Sequence, residues 1–128
     1  VGSEMCIETE YDEKFISESR RYFESGEQTT VIAFDGQTPV GCASLSYIWI
    51  MPTFSHPTGN RAHLMNVYTR ADHRRSGISK KMVEILIEEA KENGVTEISL
   101  DATEIGRPLY EVLGFQASDS CMVMELNM

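Results

Sequence analysis

The segment His73 to Met82, HRRSGISKKM, gathers two arginines, two serines, a glycine and two lysines where a helix begins. A helix N-terminus carries about half a positive charge and several amide N–H groups without intrahelical partners, which suits it to phosphate. Gly77 lets a backbone come close to an anion, Ser76 and Ser79 offer hydroxyl donors, and Arg74, Arg75 and Lys80 add charge. The chemistry indicated is the grip of a phosphorylated ligand. A solvated basic helix start capped by serine would use the same residues, so the turn alone leaves both readings open.

The charge distribution bears on this choice. The chain has a net charge of -9, yet the stretch from Arg61 to Lys81 is +5, leaving -14 elsewhere. An acidic body argues against general nucleic-acid binding, which needs an excess of lysine and arginine. It is compatible with one local anion site and favours a cationic partner over an anionic one. At 128 residues and 41% hydrophobic content the chain, residues 1–128, fits a single domain with one core. No apolar run is long enough to span a bilayer and the first residues, VGSEMCIETEYDEK, lack the apolar stretch of a secretory signal, so a cytoplasmic location without membrane contact is expected. Cys6, Cys42 and Cys121 are scattered, with no C-x-x-C pair and no histidine at ligand spacing; they read as unpaired thiols, and no metal site is expected.

The elements that must position the turn follow from periodicity. Phe15, Ile16, Ser19, Tyr22 and Phe23 form one helical stripe between Asp12 and Ser25, stopped by Gly26. Two β-rich runs around Asp35-Gly36 make a hairpin, and MPTFSHPTGNR is a loop rich in turn residues. AHLMNVYT resumes as a strand. Ile78, Met82, Ile85, Leu86 and Ala90 recur at helical spacing up to Asn93-Gly94. TEISLDA alternates as a half-buried strand, GRPLYEVLG fits a short helix, and CMVMEL reads as a last strand. The order describes a mixed α/β sheet.

RRSGIS resembles the R/Q-x-x-G-x-G/A pyrophosphate loop of the GNAT-type N-acetyltransferase family, with Arg74 and Gly77 in register and Ser79 in place of the last small residue. LYEVLGF, Leu109 to Phe115, is similar to that family's tyrosine helix, and the elements from Ala62 to Met128 follow the family's order. The resemblance implies a mixed, mostly antiparallel β-sheet with helices on both faces and a splayed central strand pair. It also implies that the usual first strand and helix are missing, which would leave an open sheet edge and favour a homodimer. Acetyl-CoA would be the acetyl donor, and the amine of a small molecule or peptide the acceptor. Backbone amides of Asn66, Val67, Tyr68 and Thr69 would hold the thioester and pantetheine arm. Arg74, Arg75, Ser76, Gly77, Ile78, Ser79 and Lys80 would take the pyrophosphate. Tyr110 would protonate the departing thiolate, the alternative being a tyrosine packed on the helix's buried face with its hydroxyl satisfied locally.

Thr103 and Arg107 would reach the coenzyme A arm, or serve as a helix cap and a solvent ion pair. No general base is legible beyond the acids Asp101 and Glu104 or a water, and Tyr47, Trp49, Met51, Phe54 and His56 fall where an acceptor pocket would be bordered. A different class of protein, an acyl-CoA sensor or interaction domain without turnover, would keep the same fold and donor site.

Overall fold

The structure of the chain, a computed structural model, describes residues 13–126. The expectations about a first strand, an edge left by its absence, and Cys6 fall on residues that lie outside the described ones. Helix α1 (Glu13–Ser25) leads into strands β1 (Gln28–Asp35) and β2 (Thr38–Trp49), then β3 (Asn60–Thr69), helix α2 (Ile78–Glu92), strand β4 (Glu97–Ser99) and helix α3 (Arg107–Val112). The four strands form one sheet in the order β1-β2-β3-β4, with β1–β2 and β2–β3 antiparallel and β3–β4 parallel. A parallel partner for β3 requires a crossover, and α2 supplies it.

The core lies between the sheet and α2. Ala43 and Leu45 from β2, Ala62 and Leu64 from β3, and Met82, Val83, Leu86 and Ala90 from α2 form one buried cluster. Those α2 positions recur at three- and four-residue spacing, as a helix with one buried stripe requires. Ile98, Leu100, Tyr110, Leu113 and Phe115 pack against the same cluster, which brings α3 to the α2 side of the sheet. Helix α1 takes the other face: Tyr22 donates to Ser46 Oγ at 2.7 Å, and Ser46 points away from Leu45 by strand alternation. Within its stripe Ile16 and Tyr22 are exposed, and Ser19 and Phe23 are half-buried.

Two expectations about strands change. CMVMEL does not form a strand: residues 121–126 have no ladder partner among the described residues, and Met122, Val123, Met124 and Leu126 are exposed. Val123 is the one β-branched residue in the run, and β4 offers only three residues of edge to template it. The strand read from TEISLDA narrows to Glu97–Ser99, although Leu100 keeps its inward packing. Among the described residues no helix is long and apolar enough to cross a membrane.

Candidate active site

The pairing of β3 with β4 runs through Arg61↔Glu97, Ala62↔Ile98 and His63↔Ser99 and then stops, while β3 continues to Thr69. The two strands therefore part beyond His63, leaving the β4-facing edge of β3 without a ladder partner. Within that open stretch β3 carries a bulge. Ser44 pairs with Met65 and Cys42 with Tyr68, so Ala43 faces two residues, Asn66 and Val67. The Cys42 thiol donates to the Asn66 carbonyl at 3.4 Å.

Among the described residues two that are not glycine have left-handed backbone angles, Asn66 at φ 56° and Arg75 at φ 66°. Such conformations cost about 1–3 kcal/mol each and cluster at ligand clamps and active sites. One sits at the bulge and the other in the turn before α2, the two places the sequence singles out.

In that turn Arg75 and Gly77, at φ 84°, flank Ser76. Left-handed residues so interleaved turn successive amide N–H groups into one concavity that accepts an anion. No side chain caps α2. Ser76 Oγ donates to the His73 carbonyl at 2.6 Å, and Ser79 Oγ lies 2.6 Å from Thr69 Oγ1. The Ser76 hydroxyl thus donates within the protein and that of Ser79 is paired with Thr69, while main-chain amides at the start of α2 remain for a ligand. Ser79 makes itself useful to the fold by tying α2 to the end of β3. Arg74 is also drawn inward: its Nε donates to the Thr69 carbonyl at 2.8 Å, and its guanidinium lies 5.9 Å from the centre of the Tyr68 ring. Arg75 and Lys80 remain exposed to solvent, and Ile78 packs on the core.

A histidine fastens this turn to the hairpin. His73 Nε2 lies 2.9 Å from Asp35 Oδ2 and Nδ1 lies 2.8 Å from Asp72 Oδ1, while Arg70 pairs with Asp72 at 3.1 Å. The hydrogen bonds to Asp35 and Asp72 raise the pKa of His73 above its ordinary value, and the His73 bond holds the Asp72 carboxyl below its own.

Helix α3 contributes Tyr110. Its ring meets Phe115 edge to face, with centroids 5.9 Å apart, and packs on the core. Burial raises its pKa, and among the described residues its hydroxyl makes no hydrogen bond. A phenol so placed keeps its proton and has it available. Thr103 Oγ1 accepts the Gly106 amide at 3.1 Å and the Thr103 carbonyl accepts the Arg107 amide at 3.0 Å, so Thr103 closes the turn that leads into α3. Arg107 lies 3.6 Å from Glu111 in an exposed i,i+4 pair. Of the local roles weighed for these two residues the ion pair of Arg107 is present, while no side chain caps α3.

Where the strands part, and on the face away from α2, three residues meet that the sequence kept apart. His63 Nδ1 lies 2.7 Å from Ser99 Oγ, and Nε2 lies 3.6 Å from Asp101 Oδ2. The one signal for His63 in the sequence is alternation, which places it opposite Ala62 and Leu64. Trp49, Met51, Phe54 and His56 lie elsewhere. They belong to the end of β2 and the loop into β3, at the opposite end of β3 from the phosphate turn. His56 bonds there to Thr96, and Tyr47 packs on the core with its hydroxyl 3.1 Å from Asn93 Nδ2. A groove lined by Ile87, Ala90, Val95, Ile98, Leu113 and Phe115 also sits at that end, away from the turn and the bulge.

Comparisons with known proteins identify the family and the fold. Residues 3–115 match the model of the acetyltransferase (GNAT) family. The chain is 35% identical over 89 residues to a glucosamine 6-phosphate N-acetyltransferase of Trypanosoma brucei brucei, covering 68% of this chain and 57% of that protein. It is 26% identical over 125 residues to an aminoglycoside N(6')-acetyltransferase type 1 of Acinetobacter genomosp. 13, covering 93% and 84%. The chain thus spans a little over half the length of the first relative and most of the second. The crystal structure of a predicted acetyltransferase with acetyl-CoA from Clostridium acetobutylicum superposes with a TM-score of 0.81 at 30% identity, over 91% of this chain and 79% of that one.

Proposed function

The chain belongs to the acetyltransferase (GNAT) family, and from that premise we propose that it moves an acetyl group from acetyl-CoA to a primary amine of a small molecule or peptide. The observation that carries this reading is the pairing of a bulged, partner-free stretch of β3 with an uncapped, left-handed turn at the head of α2. The residues present fit the donor: the turn supplies amides for a pyrophosphate, and the parted strands supply amides for an amide-bearing arm. Bound there, acetyl-CoA supplies an activated acyl carbon and a thiolate leaving group.

Each requirement of amide formation then falls to a part of the chain. The amides of Arg75 to Lys80 fix the phosphates, with Arg75 and Lys80 adding long-range attraction. Arg74 acts on the turn by holding it to Thr69, and Tyr68 and Thr69 support that hold. Amides around Asn66 and Val67 polarise the thioester carbonyl, a service worth about 3–4 kcal/mol per donor in comparable acyl transfers. Tyr110 delivers its proton to sulfur as the carbon–sulfur bond breaks. Thr103 and Arg107 set the start of α3 and so the position of Tyr110. The acceptor approaches through the gap where β3 and β4 part, since α2 and α3 lie on one face of the sheet and α1 on the other. The named substrates of the relatives, glucosamine 6-phosphate and aminoglycosides, make amino sugars the first acceptors to try.

Calorimetric titration with acetyl-CoA, followed by thiol release over a panel of glucosamine 6-phosphate, an aminoglycoside, a polyamine and a peptide, tests the proposal. Binding together with turnover of a panel amine supports it. Binding without acetyl release from any amine favours an acyl-CoA sensor, and no binding removes the donor site.

A further inference from the structure

We infer that His63, backed by Asp101 and oriented by Ser99, is the base that takes the proton from the acceptor amine. The inference rests on the acetyltransferase reading and supplies the one group that reading lacks.

The argument begins with position. His63 is the last β3 residue paired to β4, so its side chain stands at the vertex where the strands separate. Ala62 and Leu64 point into the core with α2, and His63 between them points to the opposite face. An amine attacking a carbonyl held at the Asn66–Val67 bulge reaches it through the gap that opens beyond His63, where the pairing of β3 with β4 has ended. On that face His63 lies opposite Ser46, whose hydroxyl is held by Tyr22 of α1, and Met65 lies opposite the buried Ser44.

The hydrogen bonds then select the tautomer. Ser99 Oγ donates to the Ala62 carbonyl at 3.5 Å, which leaves its oxygen to accept from Nδ1–H at 2.7 Å. The lone pair of His63 is thereby placed on Nε2. That nitrogen stands 3.6 Å from Asp101 Oδ2, too far for a hydrogen bond and close enough to stabilise a positive charge once it forms. The Asp101 side chain is 100% exposed and hands the proton on to water. Asp101 is therefore a positioning and relay group rather than the base itself, and Glu104 has no part in the arrangement.

The protons and electrons balance. An ammonium acceptor gives one proton to Nε2, and the freed nitrogen lone pair forms the bond to the acyl carbon. The carbon–sulfur bond breaks with its electron pair on sulfur. The second nitrogen proton compensates the one that Tyr110 delivers to sulfur, so a single proton leaves through His63, Asp101 and solvent.

The experiment compares the parent chain with His63→Gln and Asp101→Asn, measuring acetyl-CoA affinity by calorimetry and kcat and KM for a panel amine between about pH 6 and about pH 9.5. His63→Gln should keep the parent's acetyl-CoA affinity and lose roughly 10²-fold in kcat near neutrality. The loss should shrink as rising pH deprotonates the amine unaided, and added imidazole should restore part of the rate. Asp101→Asn, at a site too exposed to endanger folding, should lose several-fold with its acidic limb displaced. A folded His63→Gln protein within twofold of the parent at every pH overturns the assignment, as does a loss that is the same at every pH and indifferent to imidazole. A parent chain that binds acetyl-CoA but turns over no amine instead overturns the acetyltransferase reading on which the assignment stands.

Discussion

Replacing Gly77 by glutamate puts the phosphate turn to a quantitative test. A Cβ at Gly77 meets nothing within 4 Å, so a side chain there projects into the space the anion would occupy without displacing protein atoms. Two effects follow and can be separated. The positive φ of 84° charges any non-glycine residue about 1–2 kcal/mol of stability. That term is common to glutamate and glutamine and does not involve the ligand. The second is repulsion: a carboxylate about 5 Å from a phosphate charge, at an effective dielectric of about 20–40, costs roughly 2–3 kcal/mol. Acetyl-CoA affinity should accordingly fall roughly 30- to 200-fold from Gly77→Gln to Gly77→Glu. Calorimetry of both variants at about 0.15 M salt measures the difference, and a repeat at higher salt should narrow it. Equal affinities in the two variants would refute the placement of the phosphates at this turn.

Other parts of the structure make equally definite statements. Tyr110→Phe should lower kcat roughly 10²-fold with acetyl-CoA affinity unchanged. Because burial raises the pKa of Tyr110, the phenol stays protonated across the working range and the deficit should not vary between about pH 6 and about pH 9. His73 has its folded-state pKa raised from 6.5 by Asp35 and Asp72, so its contribution to stability is complete below about 6.5 and is lost as pH climbs through the raised value. A melting temperature followed from about pH 6 to about pH 9 should therefore drop more for the parent than for His73→Gln. Gly59→Ala should cost at least 3 kcal/mol by the order of magnitude for backbone strain and overpacking, since φ is +70° and a Cβ there would run into the Ile50 carbonyl oxygen. Urea unfolding would measure it.

The legibility of this chain in its sequence divides along physical lines. Helix α2 and the hairpin could be read because their signals are local: the stripe from Ile78 to Ala90 and the Asp35-Gly36 turn need only neighbours a few residues away. The phosphate turn was legible as composition, yet the assignment of donors was not. Composition does not reveal that Ser76 bonds the His73 carbonyl or that Ser79 pairs with Thr69. The left-handed angle of Arg75 has no sequence signal of its own, because arginine rarely adopts that region, whereas Asn66 is of a residue type enriched there. His63 was missed for a topological reason. Its partners lie 36 residues away for Ser99, and only the parallel pairing of β3 with β4 brings them to one face. The final strand failed in the reverse sense, since an apolar run is necessary for a strand but pairing depends on the edge it meets.

Thr69 has a wider consequence than its two contacts suggest. Its carbonyl receives Arg74 and its hydroxyl meets Ser79, so one residue staples both ends of the segment that would surround the phosphates. Ordering a free backbone costs about 1–2 kcal/mol per residue. Here that cost is met during folding, before any ligand arrives. The turn is in this sense a preformed mould, and occupancy should leave its backbone where it stands. Coenzyme A association would then be limited by diffusion and charge attraction more than by rearrangement, and departure of the spent coenzyme would leave the site ready for the next molecule.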